Sequence, residues 1–527
     1  MVRSLPSDGT RPTRRRHAFG PLCLRAEVPR CNPRNPAHLR GGRDLDEVPQ
    51  ARTTADWLNS PQPSTPEATQ LSLERRSQPE EPALTGWLPF NAPGQPVVLH
   101  EGSIALTSET LPVLKASGRV WLAWNQGAQL RWTAQLPDDY QTRRKWRLWE
   151  APHERALQVD MQGLTGSGTT HATTEGQGWS NGLRFGSADV PLERLVAHWV
   201  NLPEIGPGRP VGPSVEDADG FWRRAMSWRA TAGDWDIRID SRPDLADVSR
   251  TCRRDRTFVL THVMEVRRAD GATFTGAQAD WLLEVLQVAV SFAAGRWCCP
   301  AVPVGYTPDG RAGWSEWAPS RCDHAGLGSG RWWYERRGQD LVETLEGFLR
   351  HWDDASQRQT LKFTATSAVA AGEQGFVEQR LVTAASALEH LCWVTAVLEG
   401  GASERSYRRL DAHERLRGLL VAMDLPLGID AEVLPALAAH AAGQDGPRAV
   451  TQIRNELVHP KNTRSLYDRP GLLAEAARLA VRYLDLAILW RIGFTGRVQD
   501  RTRVTGWAGD TDQVPWANAA GSGEELP

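Results

Sequence analysis

Residues 453–462 read IRNELVHPKN. Whether they close an ordinary helix or form half of a catalytic site decides the fold and function expected of the C-terminal part. Pro447 is placed to open a helix. Pro460 disfavours helical geometry at His459, so the helix should stop there. Asn455 and His459 are four apart and share a face. At about 100° per residue, Arg454 lies on the flank of that face. Ile453 and Leu457 make a second i, i+4 pair that can bury. The expected result is a polar Arg–Asn–His cluster at a helix end held by apolar neighbours.

The surrounding sequence is helical. FVEQRLVTAASALEHLCWVTAVLE (376–399) sets Val377, Leu381, Leu388, Leu391 and Leu398 at helical spacing. Shorter helices are expected at 411–423 and 431–441, the second capped by Asp430. A long one follows at 472–492, ended by Gly493. These make a bundle over 373–495.

Upstream the period changes to two. VWLAW (120–124), QLRWTAQL (129–136) and TFVLTHVMEVRR (257–268) are strand-like, and Gly, Pro and Asn clusters punctuate them. Residues 81–270 are therefore expected to form an antiparallel β-rich domain, sandwich-like or a barrel. Thr275 and Gln278 fit a capping box at the head of the next helix. Residues 271–372 read as a mixed connecting segment, mostly helical, with a β-like interruption at 303–317. Residues 1–80 are rich in Arg, Pro and Ser and read as a disordered tail, as do the polar residues 496–527. The fold class expected is α+β multidomain.

Composition narrows the function. No run of 18 apolar residues occurs and the arginine-bearing N-terminus lacks an apolar signal core, so a cytoplasmic protein with no membrane contact is expected. Seven cysteines do not make a disulfide framework. Cys298, Cys299, Cys322 and His324 are poorly spaced for tetrahedral zinc, so no metal is expected. GLGSG (326–330) lacks the lysine of a phosphate loop, and no cofactor is expected. Ten arginines in residues 1–43 face only Asp8 and Glu27, which leaves the rest of the chain at −10 against a total of −2. Any nucleic-acid contact must therefore use a local patch. The 23 tryptophans are read as core-filling rings ahead of a stacking platform for sugars or bases.

The helix-end cluster suits RNA cleavage without a metal. That reaction needs a base for the 2′-OH, an acid for the leaving 5′-oxygen and a cation beside the phosphorane. One histidine cannot be base and acid in one step. Two copies across a dimer axis supply both, with two arginines clamping the phosphate.

RNELVHP, late in a helical bundle and preceded by QRLVTAASALEHLCWV, resembles the HEPN superfamily, whose active members carry R-x4–6-H. The resemblance implies an all-α HEPN-type bundle, Arg454 and His459 as the catalytic pair, and Asn455 as the accessory polar residue. It implies an RNA substrate and a homodimer through the bundle. The larger layout is similar to ApeA-like anti-phage proteins. That similarity implies a β-rich sensor, with an unknown trigger ligand, controlling the ribonuclease in defence or as a toxin. Inactive HEPN domains that bind nucleotides or dimerise supply the alternative. A carbohydrate-binding reading of the Trp-rich region has no carboxylate pair at suggestive spacing. Glu389 and His390 are read as solvated or helix-face residues ahead of a supporting role, and Asp323–His324 forms no recognisable triad.

Overall fold

The computed structural model describes residues 81–517 except 109–112, 125–126, 136–154, 173–175, 217–219, 221, 326–330, 373–374, 460–463 and 504–508. The expectation of a disordered tail at 1–80 lies outside the described residues. Pro79–Pro527 form one unit.

Seven strands come first: β1 (Val97–Thr107), β2 (Leu114–Trp124), β3 (Ala128–Gln135), β4 (Arg155–Met161), β5 (Leu164–Ala172), β6 (Gln177–Ser180) and β7 (Leu183–Gly186). They run in the order β5-β4-β1-β2-β3-β6, and β6 pairs back onto β5. The ring closes into a six-stranded antiparallel barrel among the described residues, so of the two expected forms the barrel is found and the sandwich-like one is corrected. Closure removes the open edges that a sandwich must protect. Alternation fills the interior: Leu130, Trp132, Leu157, Val159 and Phe185 are buried while their neighbours face out. Gly178 permits this, because a Cβ there would sit 2.5 Å from the Trp132 ring. The Trp132 indole N–H donates to Thr170 Oγ1 at 2.5 Å, tying β3 to β5 across the barrel.

Next come β8 (Pro191–Leu192), β9 (Arg194–Val200), β10 (Arg209–Glu216), β11 (Trp222–Ala232), β12 (Trp235–Ser241), helix α1 (Leu245–Asp255), β13 (Leu260–Arg268), β14 (Phe274–Thr275), α2 (Gly276–Ala294), β15 (Cys299–Tyr306) and β16 (Ala312–Trp317). The sheet leaves the barrel through β7 and continues β16-β15-β9-β13-β12-β11-β10. The sheet thus does not end at residue 270. The hairpin of β15 and β16, expected inside a connecting segment, lies between β9 and β7 and joins barrel to open sheet. The β9 strand is buried on both faces, as its near-continuous apolar sequence dictates. The capping box on α2 is present in full, Thr275 Oγ1 accepting from Gln278 N and Gln278 Oε1 from Thr275 N.

The remaining helices are α3 (Gly338–Trp352), α4 (Ala355–Gly372), α5 (Val377–Trp393, continued as a π turn over Val394–Glu399), α6 (Glu404–Tyr407), α7 (Ala412–Ala422), α8 (Pro435–Ala441), α9 (Gly446–Val458), α10 (Arg464–Tyr467) and α11 (Leu472–Arg491). The segment Val377–Glu399 is long and apolar enough to cross a membrane by length and composition alone. Here its Leu381, Ala384, Leu388 and Leu391 are buried, and α5 packs on α4 and α11. One core runs from the open sheet through α2 and α3 into this bundle. A second fills the barrel. Trp132, Trp199, Trp317, Trp332, Trp333 and Trp352 are fully buried, in accord with the core reading of the tryptophans.

The expectation of a disordered tail at 496–527 is corrected for the described residues 496–503 and 509–517, and the remainder lies outside the described residues. Strands β17 (Arg497–Val498) and β18 (Asp512–Gln513) pair, and Phe494, Val498 and Val514 are buried. Gln499 N donates to Trp332 O at 2.6 Å, and Arg501 forms a buried 2.6 Å ion pair with Asp485 of α11. Long-range polar pairs hold this segment, and a local apolar period does not reveal them.

Residues 81–95 cross the sheet as a strap. Trp87 stacks on Trp317 and its indole donates to Val302 O at 2.7 Å. Gly86 passes directly over His198, and a Cβ there would lie 2.3 Å from the imidazole. Gly86→Ala is expected to cost about 1–3 kcal/mol by overpacking, read from urea melts.

Burial holds His198 down at about 4 and His262 at about 3, from an ordinary 6.5. Asp280 on α2 is pushed up from 3.8 to about 7, first by burial and then by the facing Glu316 carboxylate. The histidines give stability that is present above pH 6.5 and lost as the pH falls toward 4. The aspartate works oppositely, its contribution being lost as the pH rises through about 7. Asp280→Asn removes the opposing slope. Its melting temperature is expected to fall more steeply than wild type from pH 7 to pH 5, and parallel curves would refute the assignment.

Candidate active site

Helix α9 positions the Arg–Asn–His cluster. Asp445 caps it, its carboxylate accepting from Arg448 N at 3.0 Å, with Pro447 in the first turn. The same carboxylate accepts from Arg417 Nε of α7 at 2.7 Å, so the helix start is fixed to its neighbour. Ala449, Val450 and Ile453 are fully buried and Leu457 packs at the core margin. Gly446 lies so close to Tyr483 that a Cβ would meet its hydroxyl at 2.2 Å. The helix therefore cannot rotate or slide without losing its packing.

His459 ends the helix with φ −124° and ψ 70°, outside the helical region as the following proline requires. Its backbone N–H still donates to Asn455 O at 2.8 Å. The side chains of Asn455 and His459 are exposed and that of Arg454 is partly buried. Arg454 Nη1 donates to Asn455 Oδ1 at 3.0 Å. Arg454 Nη2 reaches Glu389 on α5 at 3.3 Å. Arg454 Nε is buried with no hydrogen-bond partner among the described residues.

The structure thus brings Arg454 and Asn455 into contact and sets His459 one turn on, at the open end of the helix. Glu389, read from sequence as a solvated or helix-face residue, is the group that holds the guanidinium. The two residues are 65 apart in sequence, so no local pattern could pair them. His390 turns away, its ring edge-on to Phe363 at 5.1 Å, and burial and then Arg491 hold it below its ordinary value. Val458 beside the cluster and Val421 on α7 are exposed apolar side chains. Chemically the cluster offers a cation held by a carboxylate, an amide and an accessible imidazole. Cys298, Cys299 and Cys322 are buried elsewhere, and no group of three or more His, Cys, Asp or Glu suited to a metal occurs among the described residues.

Fold and cluster together define an α+β multidomain protein, an antiparallel barrel and sheet followed by a helical region that carries an exposed polar site. Residues 187–326 match the family model of the YopA central domain, and residues 354–513 that of the YopA C-terminal domain. The chain is similar to the SPbeta prophage-derived uncharacterized protein YopA of Bacillus subtilis (strain 168), at 26% identity over 288 residues. That match covers 54% of this chain and 64% of the relative. No solved structure matches. The central-domain match keeps β15 and β16 with the strands before them, and the C-terminal match includes β17 and β18. Neither matched model is a HEPN one, and Arg454, Asn455 and His459 fall inside the second.

The Glu389–Arg454 pair is partly exposed, with side chains at 42% and 19%. Glu389→Gln is expected to cost no more than about 1 kcal/mol, read from urea melts. A larger loss would mark the pair as a structural strut of the bundle.

Proposed function

We propose that the chain is a metal-independent endoribonuclease of HEPN type. It acts as a homodimer through its helical bundle, and the sheet-rich part serves as sensor or regulator. What supports the reading is one observation: Arg454, Asn455 and His459 stand together at the solvent-facing end of α9, with the arginine held by Glu389. In each copy the imidazole is free to reach a 2′-OH or a leaving oxygen. Two copies would divide the base and acid roles, and the paired arginines would meet the charge that develops on the phosphorane. The exposed Val458 gives the neighbourhood apolar surface that a second copy could cover. The prophage origin of the YopA relative fits a defence or toxin role in conflict between phage and host.

A second reading is favoured by the same ion pair. Arg454 already spends donors on Glu389 and Asn455, as a residue that only fixes α9 on α5 would. The bundle would then be an inactive HEPN-type module for dimerisation or nucleotide binding, with a ligand-binding β part. Expression in a bacterial host separates the two. Wild type is expected to arrest growth and fragment cellular RNA, and His459→Ala and Arg454→Ala are each expected to abolish cleavage, by about 100-fold or more, while remaining folded and dimeric. Cleavage that survives both substitutions would sink the ribonuclease reading. Intact RNA in all three would shift the weight to the inactive module.

A further inference from the structure

A cavity of about 680 Å³ opens beside α1, and one of about 200 Å³ adjoins it, the two sharing Pro203, Ser249, Arg253 and Glu335. Their combined volume is that of a small-molecule site. The amphipathic sequence of α1 makes one wall. Leu245, Val248 and Cys252 bury, which turns Ser249, Arg250 and Arg253 into the cleft. Residues 203–208 and 335–336 make the other wall, tied together by Gly206 N donating to Glu335 O at 2.8 Å.

Among the described residues five arginines line this space against two glutamates, in a chain whose net charge outside residues 1–43 is negative. Two of the five are spoken for, Arg250 by Asp247 and Arg331 by Glu335. The side chains of Arg253 and Arg336 make no hydrogen bond or ion pair with any described residue, and both residues are exposed. Arg296 gives one amine to Asn201 O, while its Nη1 is buried without a partner among the described residues. Gathering three guanidiniums with unspent donors on one cleft is unfavourable by itself and becomes favourable around an anion. Guanidinium forks match phosphate oxygens, and their spread over two adjoining cavities calls for more than one phosphate. Among the described residues no aromatic ring lines either cavity, so they supply no stacking platform of the kind that holds single-stranded nucleic acid.

We propose that this cleft binds a small ligand carrying two or more phosphate groups. Arg253 and Arg336 grip the phosphates, and Arg296 adds positive charge at the inner end of the cleft. Nothing in the cleft depends on whether the helical bundle cuts RNA, and the test leaves cleavage out.

Pyrophosphate, ATP and a short single-stranded RNA are titrated into the full chain by calorimetry, with thermal melts in parallel. Pyrophosphate and ATP are expected to bind and to raise the melting temperature of wild type. The double variant Arg253→Gln, Arg336→Gln is expected to bind both at least about tenfold more weakly. Without ligand it should melt at or above wild type, because like-charge repulsion is relieved. Arg405→Gln, at an exposed arginine of α6, is expected to bind as wild type does. The proposal is overturned by absence of pyrophosphate and ATP binding, by equal binding in the double variant, or by binding of the RNA alone.

Discussion

The fold depends on α2 being buried on nearly every side. Leu282, Val285, Leu286, Val288, Ala289, Val290, Phe292 and Ala293 are all buried, facing sheet and helices at once. Each large apolar side chain so placed contributes about 1.5–3 kcal/mol, so this one helix is a main adhesive between the two halves. It packs on β15 on one side and on α3 and α4 on the other. It can do so because its charged residues are few and placed at the rim. Glu284 pairs with Lys362 of α4, and Asp280 faces Glu316 at the sheet margin.

This burial constrains how the protein could be regulated. A sensor that swings away from its effector needs a polar, weakly packed joint. The open sheet and the helices share one continuous core instead. A signal from the sheet side would have to travel as a small repacking of α2 and its neighbours, or act at the surface of the bundle. The barrel is a different matter. Its core is separate from that of the helices and continues onto the open sheet through Val200, Leu260 and Val304, so it is the part whose packing is least bound to the helices.

Local chemistry was legible in the sequence and long-range pairing was not. The Thr275–Gln278 capping box, the opening of α9 near Pro447, its stop at His459 and the close of α11 before Gly493 all follow from residues within one helical turn. Asp430 does not cap a helix start at 431. It accepts from Glu432 N and Val433 N in a turn, and α8 begins only at Pro435. Placement of β15 between β9 and β16 depends on partners about a hundred residues apart, and no periodicity encodes that. The segment after 496 reads as polar because its anchors are polar. Arg501 is buried only because Asp485 neutralises it, and burial in turn holds the Asp485 carboxyl above its ordinary value. Barrel closure likewise hangs on β6 meeting both β3 and β5, a contact set by small residues such as Gly178.

The same distinction governs the candidate site. Arg454, Asn455 and His459 were visible as a spacing, yet Glu389 gives the spacing its geometry. A half-exposed carboxylate–arginine pair adds little to stability, so holding α9 on α5 is poorly served by it; Ile453 and Val450 already do that by burial. What the pair does well is fix the direction of a long, flexible side chain. An arginine held at one edge by a carboxylate, with the adjacent amide on its other amine, has a restricted set of orientations and loses less entropy on meeting an anion. Under the proposed function that is the useful property. A phosphodiester carries the same single charge as the Glu389 carboxylate, but the phosphorane gathers more, so the guanidinium would be drawn forward as that charge develops, without asking the helix to move.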